Sequence, residues 1–256
     1  MTGFLGTTAR MVGAVPSAAQ SESAPERFVV QEAASRRWAF DTSRRGGVRP
    51  REWSVDVGLL DAREMSVLDE FVQGAWGPGP FRWVSCAAHD TNVLTPAQSI
   101  LAGLDAGTGM VTVDGYAPRS VVGPGRVTLA EFVPVVPGLP VTVSVDVSGV
   151  ATLTVVFRDG SGAVVDTQVQ PSLEMFEQRL TYTAPSVPAT VRTVDVQVAG
   201  HTRAARPQVT WTAEARPWAP GRGADQVVIQ SGSANPVVIN RSGGHWSGSV
   251  SLIEVG

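Results

Sequence analysis

Apolar and polar residues alternate along much of the second half of the chain, as they do in half-buried β-strands. The clearest case is 140–147, where valine occupies every second position. Residues 151–158 and 163–170 flank Asp159-Gly160-Ser161-Gly162, a sequence that predicts a β-hairpin. Strand signals repeated at this close spacing predict a sandwich of antiparallel sheets over 92–217.

The first ninety residues differ from this region, with more aromatic residues and one helix signal. A short strand alternates around Trp53. After it, apolar residues recur at helical spacing between Asp61, a candidate N-cap, and Gly74, and Glu64 is a capping-box partner for Asp61. This pattern predicts one helix that ends at Gly74.

The C-terminal segment regains the aromatic, alternating character of the first ninety residues, and its last predicted strand covers 246–255. We therefore expect the two ends of the chain to form one domain, with the sandwich inserted between them. The predicted organisation is an N-terminal arm at 1–25, a discontinuous domain at 26–91 and 218–256, and an inserted β-sandwich at 92–217.

Composition excludes several kinds of chemistry. All 20 basic residues of the 256-residue chain are arginines, so no lysine is available for a Schiff base or a Walker-type phosphate loop. The single cysteine, Cys86, excludes an intramolecular disulfide and a multi-cysteine metal site. The net charge of −3 argues against nonspecific nucleic-acid binding, and no apolar run is long enough to span a membrane. We expect no metal, no cofactor, no membrane partner and no sequence-specific nucleic-acid partner.

Patterns typical of catalytic residues are weak. Carboxylates occur along the second half of the chain, but nothing in the sequence sets two of them at a catalytic separation. Asp159 lies in a turn whose composition already explains it. His89 follows Cys86 by three residues in a predicted loop, and Ser247-Gly248-Ser249 lacks the strand–turn–helix context of a nucleophile elbow. The sequence predicts a protein that is not an enzyme.

Aromatic residues and Gly/Pro turns at the two ends of the chain form a pattern that resembles the minor or distal tail proteins of phages that infect actinobacteria. The closing strand at 246–255 resembles the end of those proteins. The other residues that carry the resemblance are Arg37-Trp38, Pro50-Arg51-Glu52-Trp53-Ser54, Gly74-Ala75-Trp76-Gly77-Pro78-Gly79-Pro80-Phe81 and Asn92-Val93-Leu94-Thr95-Pro96.

This resemblance implies a structural subunit of a long-tailed phage. In distal tail proteins a barrel-like belt domain builds a ring, commonly a hexamer, between the tail tube and the tip, and a peripheral β-sandwich projects outward. Residues 140–167 also resemble jelly-roll carbohydrate-binding modules. The expected fold is mainly β: a split belt-type β-barrel or sandwich domain with one helix, and an inserted antiparallel β-sandwich of jelly-roll or galectin-like type.

Five residues of the expected belt domain are candidates for subunit contacts. Four belong to a basic cluster between residues 36 and 51, where arginine is suited to pairing with carboxylates of a neighbour, and a solvated loop is the alternative. The fifth is a tryptophan in a Gly/Pro turn, for which core packing and a subunit interface are the two alternatives. The candidates are Arg36, Arg37, Arg44, Arg45 and Trp76.

Four aromatic residues in or beside the predicted sandwich are candidates for stacking on sugar rings, and burial is the alternative for each. Alternation of Trp211 with Val209 favours burial of that indole. The four candidates are Tyr116, Tyr182, Trp211 and Trp218.

The function expected from the resemblance is assembly of a phage tail tip. The protein would form a ring, a hexamer by the family pattern, that joins the tail tube to the tip or baseplate proteins in the virion tail, assembled in the cytoplasm of the bacterial host. The alternative is a carbohydrate-binding module for host adhesion, whose partner would be a cell-wall glycan.

Overall fold

A computed structural model describes the structure of the chain at residues 2–7, 10–23, 28–33, 36–41, 51–60, 66, 69–71, 73–77, 79–102, 104, 110–112, 119–172, 175–240 and 243–255. Its short helices are α1 (Cys86–Thr91) and α2 (Pro96–Ser99). Its strands are β1 (Thr2–Thr7), β2 (Arg10–Ser23), β3 (Phe28–Ala33), β4 (Arg36–Asp41), β5 (Glu52–Leu60), β6 (Phe81–Val84), β7 (Met110–Thr112), β8 (Ser120–Val122), β9 (Val127–Pro134), β10 (Val141–Ser148), β11 (Thr152–Asp159), β12 (Val164–Pro171), β13 (Gln178–Ala184), β14 (Val191–Ala199), β15 (Arg203–Thr210), β16 (Ala224–Asn240) and β17 (Gly243–Glu254).

The chain divides into two compact units. The terminal unit contains Met1–Thr7, Gly13–Trp83 and Asp225–Gly256, and the inserted unit contains Thr8–Val12 and Val84–Ala224. The sequence patterns predict an insertion over 92–217, whereas the long segment of the inserted unit runs from Val84 to Ala224. The two connecting segments fall inside this unit because they bond to each other, as the site geometry below explains.

Six strands close into a barrel in the order β1-β2-β5-β17-β16-β6. Antiparallel pairing of β5 with β17 sets Trp53 opposite Leu252, and both side chains are buried. Next to them, the Arg51 guanidinium donates to both carboxylate oxygens of Glu254 at 3.1 Å and lies 4.9 Å from the Trp53 ring centre. A bidentate ion pair therefore fastens the two ends of the chain together.

The N-terminal residues differ from the arm that was expected at 1–25. Thr2–Thr7 and Arg10–Ser23 are strands of the barrel, and β2 pairs with β5 along 17–23. The Ser/Ala-rich sequence hides this role because strand pairing uses backbone groups, which every residue except proline supplies in full.

The inserted unit contains an eight-stranded jelly roll. Of the strands β8 to β15, the first pairs with the last, and the pairing continues inward as β9 with β14, β10 with β13 and β11 with β12. One sheet has the order β13-β10-β15-β8-β7 and the other β12-β11-β14-β9. The prediction of a mainly β protein with a jelly-roll sandwich is confirmed.

Alternating valines fill the space between the two sheets. Val141, Val143 and Val145 on β10 are fully buried, as are Val194 and Val196 on β14. Each fully buried valine contributes about 1.5 to 3 kcal/mol of hydrophobic stabilisation. The period-two pattern in the sequence therefore locates the core correctly.

Helical structure agrees with the prediction only in part. Ser66 and residues 69–71 are helical, and the segment stops at Gly74, whose φ of +76° suits a glycine C-cap. The predicted N-cap, Asp61, lies outside the described residues. Helices α1 and α2 were not predicted, because 6 and 4 residues are too few to show helical periodicity. No helix in the described part of the chain has the length and hydropathy to cross a membrane.

Candidate functional site

Strand β10 has an apolar face and a polar face. Its valines point into the sandwich, and Thr142, Ser144 and Asp146 lie on the opposite side of the sheet. Antiparallel pairing places Arg179 of β13 opposite Asp146, and Gln208 of β15 opposite Ser144. Three neighbouring strands thus bring charged and amide side chains together on one face.

Arg179 is the centre of this polar cluster. Its Nη1 donates to Asp146 Oδ1 at 2.5 Å, and its Nη2 donates to Ser144 Oγ at 2.8 Å and to Gln208 Oε1 at 2.7 Å. The side chains of Arg179 and Asp146 are 24 % and 12 % exposed, so water screens this ion pair weakly.

A bulge in β15 brings a second arginine to the same carboxylate. The register between β10 and β15 shifts between Ser144 and Asp146, and Arg206 adopts a φ of +52° there. The next residue is Pro207, which has no N–H to pair and is therefore tolerated at a bulge. Arg206 Nη1 lies 3.5 Å from Asp146 Oδ2, and its guanidinium carbon lies 5.9 Å from the centre of the Trp218 ring.

Gln208 links this cluster to the segments that enter and leave the jelly roll. Its Nε2 donates to the carbonyl oxygen of Thr91 at 2.6 Å, before the jelly roll, and to that of Pro217 at 3.0 Å, after it. Only 1 % of the residue is exposed. A buried amide with all these partners holds both segments against β15.

Asn92 joins the same segments more directly. It is fully buried, its Oδ1 accepts from the backbone N–H groups of Leu94 and Val209, and its Nδ2 donates to the carbonyls of Pro207 and Ala219. All four hydrogen-bonding positions of the amide are occupied.

The backbones of the two connecting segments also bond to each other. Arg222 N–H donates to Asn92 O, and Gly223 N–H donates to Leu94 O, both at 3.0 Å. We call residues 92–94 and 221–223 the connector clamp. A Cβ on Gly223 would lie 1.8 Å from Val93 O, so only glycine permits this approach.

The cluster combines groups that recognise polar ligands. A partly exposed guanidinium, a carboxylate and an indole are the groups that bind hydroxylated or anionic molecules. Within the described ranges, no three His, Cys, Asp or Glu side chains are grouped as metal ligands would be. The guanidinium and indole groups of the cluster offer hydrogen bonds and stacking contacts to a ligand.

The predicted sugar-stacking residues occupy different environments. Trp211 is 5 % exposed, and its Nε1 donates to Pro134 O, so its ring is not open to a sugar and that candidate is corrected. Tyr182 packs edge-on against Phe157, 6.2 Å between ring centres. Tyr116 lies outside the described residues. Trp218 is partly exposed beside Arg206, and among the three described candidates it is the one placed next to the polar cluster.

The predicted subunit-contact residues are only partly described. Trp76 stacks on Phe71 with 5.2 Å between ring centres, and its Nε1 donates to Glu70 at 3.0 Å. These contacts with residues of the terminal unit position the Trp76 ring and leave it partly exposed. Arg36 and Arg37 lie on β4, whose backbone alone is described, and Arg44 and Arg45 lie outside the described residues.

Sequence reasoning missed Asp146, Arg179, Arg206 and Gln208 as a group. The alternation of β10 did place Asp146 opposite the core, which is a usable signal. Its partners come from strands 33 and 60 residues away, and a local pattern carries no information about them.

His201 gives the inserted unit a dependence on pH. The imidazole is 1 % exposed, and neither ring nitrogen has a hydrogen-bond partner among the described residues. Burial lowers the pKa of His201 from its ordinary value of 6.5, so the folded protein keeps it neutral. As the pH falls below about 6.5 the unfolded chain gains a proton that the folded chain resists, and stability is lost.

We expect this loss to reach at most about 1.4 kcal/mol per pH unit. The measurement is urea unfolding at about pH 7.5 and about pH 5.5 for the wild type and for His201→Gln, which cannot be protonated in this range. The variant should show the weaker pH dependence. An equal dependence in both proteins would assign the effect to other groups.

Comparison with known proteins found similarity among solved structures. No protein-family model matches the sequence, and no curated protein is significantly similar to it. Among solved structures, the enzymatically active domain of tailspike protein 4 from bacteriophage CBA120 aligns with a TM-score of 0.28 and 7 % identity. The alignment covers 77 % of this chain and 20 % of that one.

The fold defines the class of this protein as mainly β, with a closed barrel and a jelly roll inserted between the barrel strands.

Proposed function

We propose that this protein is a structural subunit of a phage tail tip, which forms a ring, with six copies expected, between the tail tube and the tip or baseplate proteins. Its work is assembly, without enzymatic activity. The proposal rests on the resemblance of the two chain ends to distal tail proteins.

The observation that carries it is the origin of the barrel strands. β1, β2, β5 and β6 come from the first part of the chain and β16 and β17 from the last, while the jelly roll is built from the sequence between them. The resemblance implies a belt domain built from both ends of the sequence with a sandwich inserted between them, and this origin of the barrel strands supports the proposal.

A two-stranded sheet in the terminal unit supports self-association. Strands β3 and β4 pair with each other and form a sheet of their own, with Gln31 opposite Trp38 and Glu32 opposite Arg37. An isolated two-stranded hairpin is at best marginally stable in water, so packing against another surface is expected to stabilise it. In the proposed ring, that surface belongs to the neighbouring subunit.

Light scattering of the purified full chain, followed by negative-stain imaging, tests the ring. We expect a closed species of about six copies, the subunit number that the family pattern implies.

Arg44→Glu together with Arg45→Glu should abolish the ring and leave the subunit folded, because both changes reverse the charge offered to a neighbour. The matched control reverses Arg126 and Arg216, two exposed arginines of the inserted unit.

An unchanged ring in the Arg44/Arg45 variant would remove these arginines from the interface. A wild-type protein that is monomeric both alone and when mixed with tail tubes would remove the ring itself.

Carbohydrate binding is the second candidate, and the position of Trp218 favours it. The guanidinium carbon of Arg206 lies 5.9 Å from the centre of this indole, and the same guanidinium reaches the Asp146 carboxylate. A pull-down of the full chain on host cell-wall polysaccharide tests the idea. Binding that is lost in Trp218→Ala and kept in Trp76→Ala would indicate a glycan site on the jelly roll, whereas absence of binding would leave the jelly roll as a spacer.

A further inference from the structure

Phe132 is an exposed aromatic residue in a strained part of β9. The register between β9 and β14 shifts at this point, so that β9 contains one residue more than its partner. Phe132 takes a φ of +51° there and is 43 % exposed. A positive φ is unfavourable for a residue with a bulky side chain, and such strain is found mainly at functional sites.

Asp195 fixes the position of Phe132. Its Oδ1 accepts from the Phe132 N–H at 2.9 Å, and its Oδ2 accepts from Arg158 Nε at 2.7 Å, so that it also balances the charge of Arg158. The guanidinium carbon of Arg158 lies 5.4 Å from the centre of the Phe132 ring, as in a cation–π contact. An aromatic side chain that is fixed in advance loses little freedom on binding, which suits Phe132 to anchor a partner.

Apolar surface continues from the Phe132 ring toward the β11–β12 turn. A Cβ at Gly162 of that turn would lie 3.7 Å from Phe132 Cε1, so the ring reaches the turn. Val164, which follows the turn and lies opposite Arg158 in the pairing of β11 with β12, is 55 % exposed.

Two carboxylates lie at the margin of this apolar surface. Glu131 precedes Phe132 in the chain and is exposed, and Asp159 is partly exposed in the turn that the Phe132 ring reaches. Hydrogen bonds within the turn, above all from the Ser161 hydroxyl, lower the pKa of Asp159 and keep it ionised. We call this set of residues the Phe132 surface: Phe132, Val164, Glu131 and Asp159.

Charge complementarity identifies residues 36–49 of a second copy as the occupant of this surface. This basic segment contains five arginines and one acidic residue, Asp41, and it also contains Trp38 and Phe40. Arginine pairs with carboxylates through two parallel hydrogen bonds. The segment begins with β4, whose two-stranded sheet with β3 needs another surface for its stability.

We infer that the Phe132 surface of one subunit packs against the basic segment of the next subunit, with Phe132 as the apolar anchor and with Arg44 and Arg45 facing Glu131 and Asp159. The inference rests on the proposed ring and names the carboxylates that its arginines meet. The contact joins two different surfaces of the same chain, and repetition of such a contact generates a ring.

Photochemical cross-linking of the full chain tests this contact. The photoreactive amino acid p-benzoylphenylalanine replaces Phe132, and isotope-labelled copies are mixed with unlabelled ones. Irradiation should link a labelled copy to an unlabelled one, and mass spectrometry should place the link within residues 36–49. The same replacement of Phe176, which is 82 % exposed on the same unit, is the matched control and should give no link to that segment.

Removing the Phe132 ring should weaken the association of subunits about tenfold or more, as measured by light scattering over a dilution series. Phe132→Gly is the suitable variant, because glycine accommodates the φ of +51° and the subunit stays folded, as circular dichroism should show. Phe176→Gly makes the same replacement at a more exposed phenylalanine and should leave the association unchanged. Equal effects of the two variants would overturn the role of Phe132.

Charge reversal tests the pairing of carboxylates with arginines. Glu131→Arg should lower the yield of the cross-link from position 132 about tenfold, because it sets like charges against each other. Adding Arg44→Glu or Arg45→Glu to this variant restores opposite charges, and one of the two combinations should recover the cross-link. Recovery in neither would overturn the pairing.

The cross-link separates this inference from the ring proposal. A ring in which position 132 links outside residues 36–49, or within one copy, would overturn the contact and leave the ring. Linked copies that never close into a ring would support the contact and overturn the ring. A monomer without any link to a second copy would overturn both.

Discussion

Replacing Asn92 by leucine is expected to lower the free energy of unfolding of the inserted unit by about 4 kcal/mol. Leucine fills a similar volume but leaves the N–H groups of Leu94 and Val209 without their acceptor, and the carbonyls of Pro207 and Ala219 without their donor. Each buried donor left unpaired costs about 1 to 3 kcal/mol, so the two N–H groups account for the estimate.

Urea unfolding followed by tryptophan fluorescence measures this change. The control is Gln170→Leu, which makes the same amide-to-alkyl replacement at an exposed residue of the same unit and should change stability by less than about 0.5 kcal/mol. Equal effects of the two substitutions would show that Asn92 does not hold the connecting segments.

The second large effect is expected from Gly223→Ala, which should lower the free energy of unfolding of the inserted unit by about 3 kcal/mol or more. The added Cβ would meet Val93 O at 1.8 Å and the Val93 carbonyl carbon at 2.9 Å. Both are backbone atoms, so no side chain can rotate away and the two segments must separate. Separation breaks the hydrogen bonds from Arg222 N–H to Asn92 O and from Gly223 N–H to Leu94 O.

Gly125→Ala is a matched control, because a Cβ at Gly125 meets nothing within 4 Å and the residue does not need a positive φ. Its effect should be small, since alanine restricts the unfolded chain slightly. Thermal unfolding measures both variants, and trypsin cleavage after Arg222 should accelerate in Gly223→Ala alone. Similar melting temperatures for the two variants would contradict the close approach at Gly223.

Local sequence signals predicted the parts of the fold that local interactions determine. The β11–β12 turn is an example, because Asp159 Oδ1 accepts from Ser161 N–H at 2.9 Å and from Ala163 N–H at 3.0 Å, while Gly162 takes a φ of +86°. These bonds also lower the pKa of Asp159, mainly through the Ser161 hydroxyl. The alternation of apolar and polar residues in β10 and the end of the helical segment at Gly74 were also predicted from local signals.

Other features depend on residues far apart in sequence and were missed. Asn92 accepts from Val209, 117 residues later, and nothing near position 92 indicates that partner. The strand at 10–23 lacks alternation, so its pairing with β5 has no local signal. Helix α2 is too short to show periodicity, but Thr95 and Gln98 form a capping box, with Pro96 at the start of the helix, that a search for caps would have found.

The order of the strands sets the order in which the two units finish folding during synthesis. The jelly roll is contiguous in sequence, so every strand of it has left the ribosome once β15 has emerged. The barrel at that moment lacks β16 and β17, and β5 has no partner on the side where β17 will pair. Domains fold as units and long-range strand pairing is slow, so the jelly roll is complete while the barrel is still open. The barrel can close only after β16 and β17, which follow the jelly roll in the sequence, have also emerged.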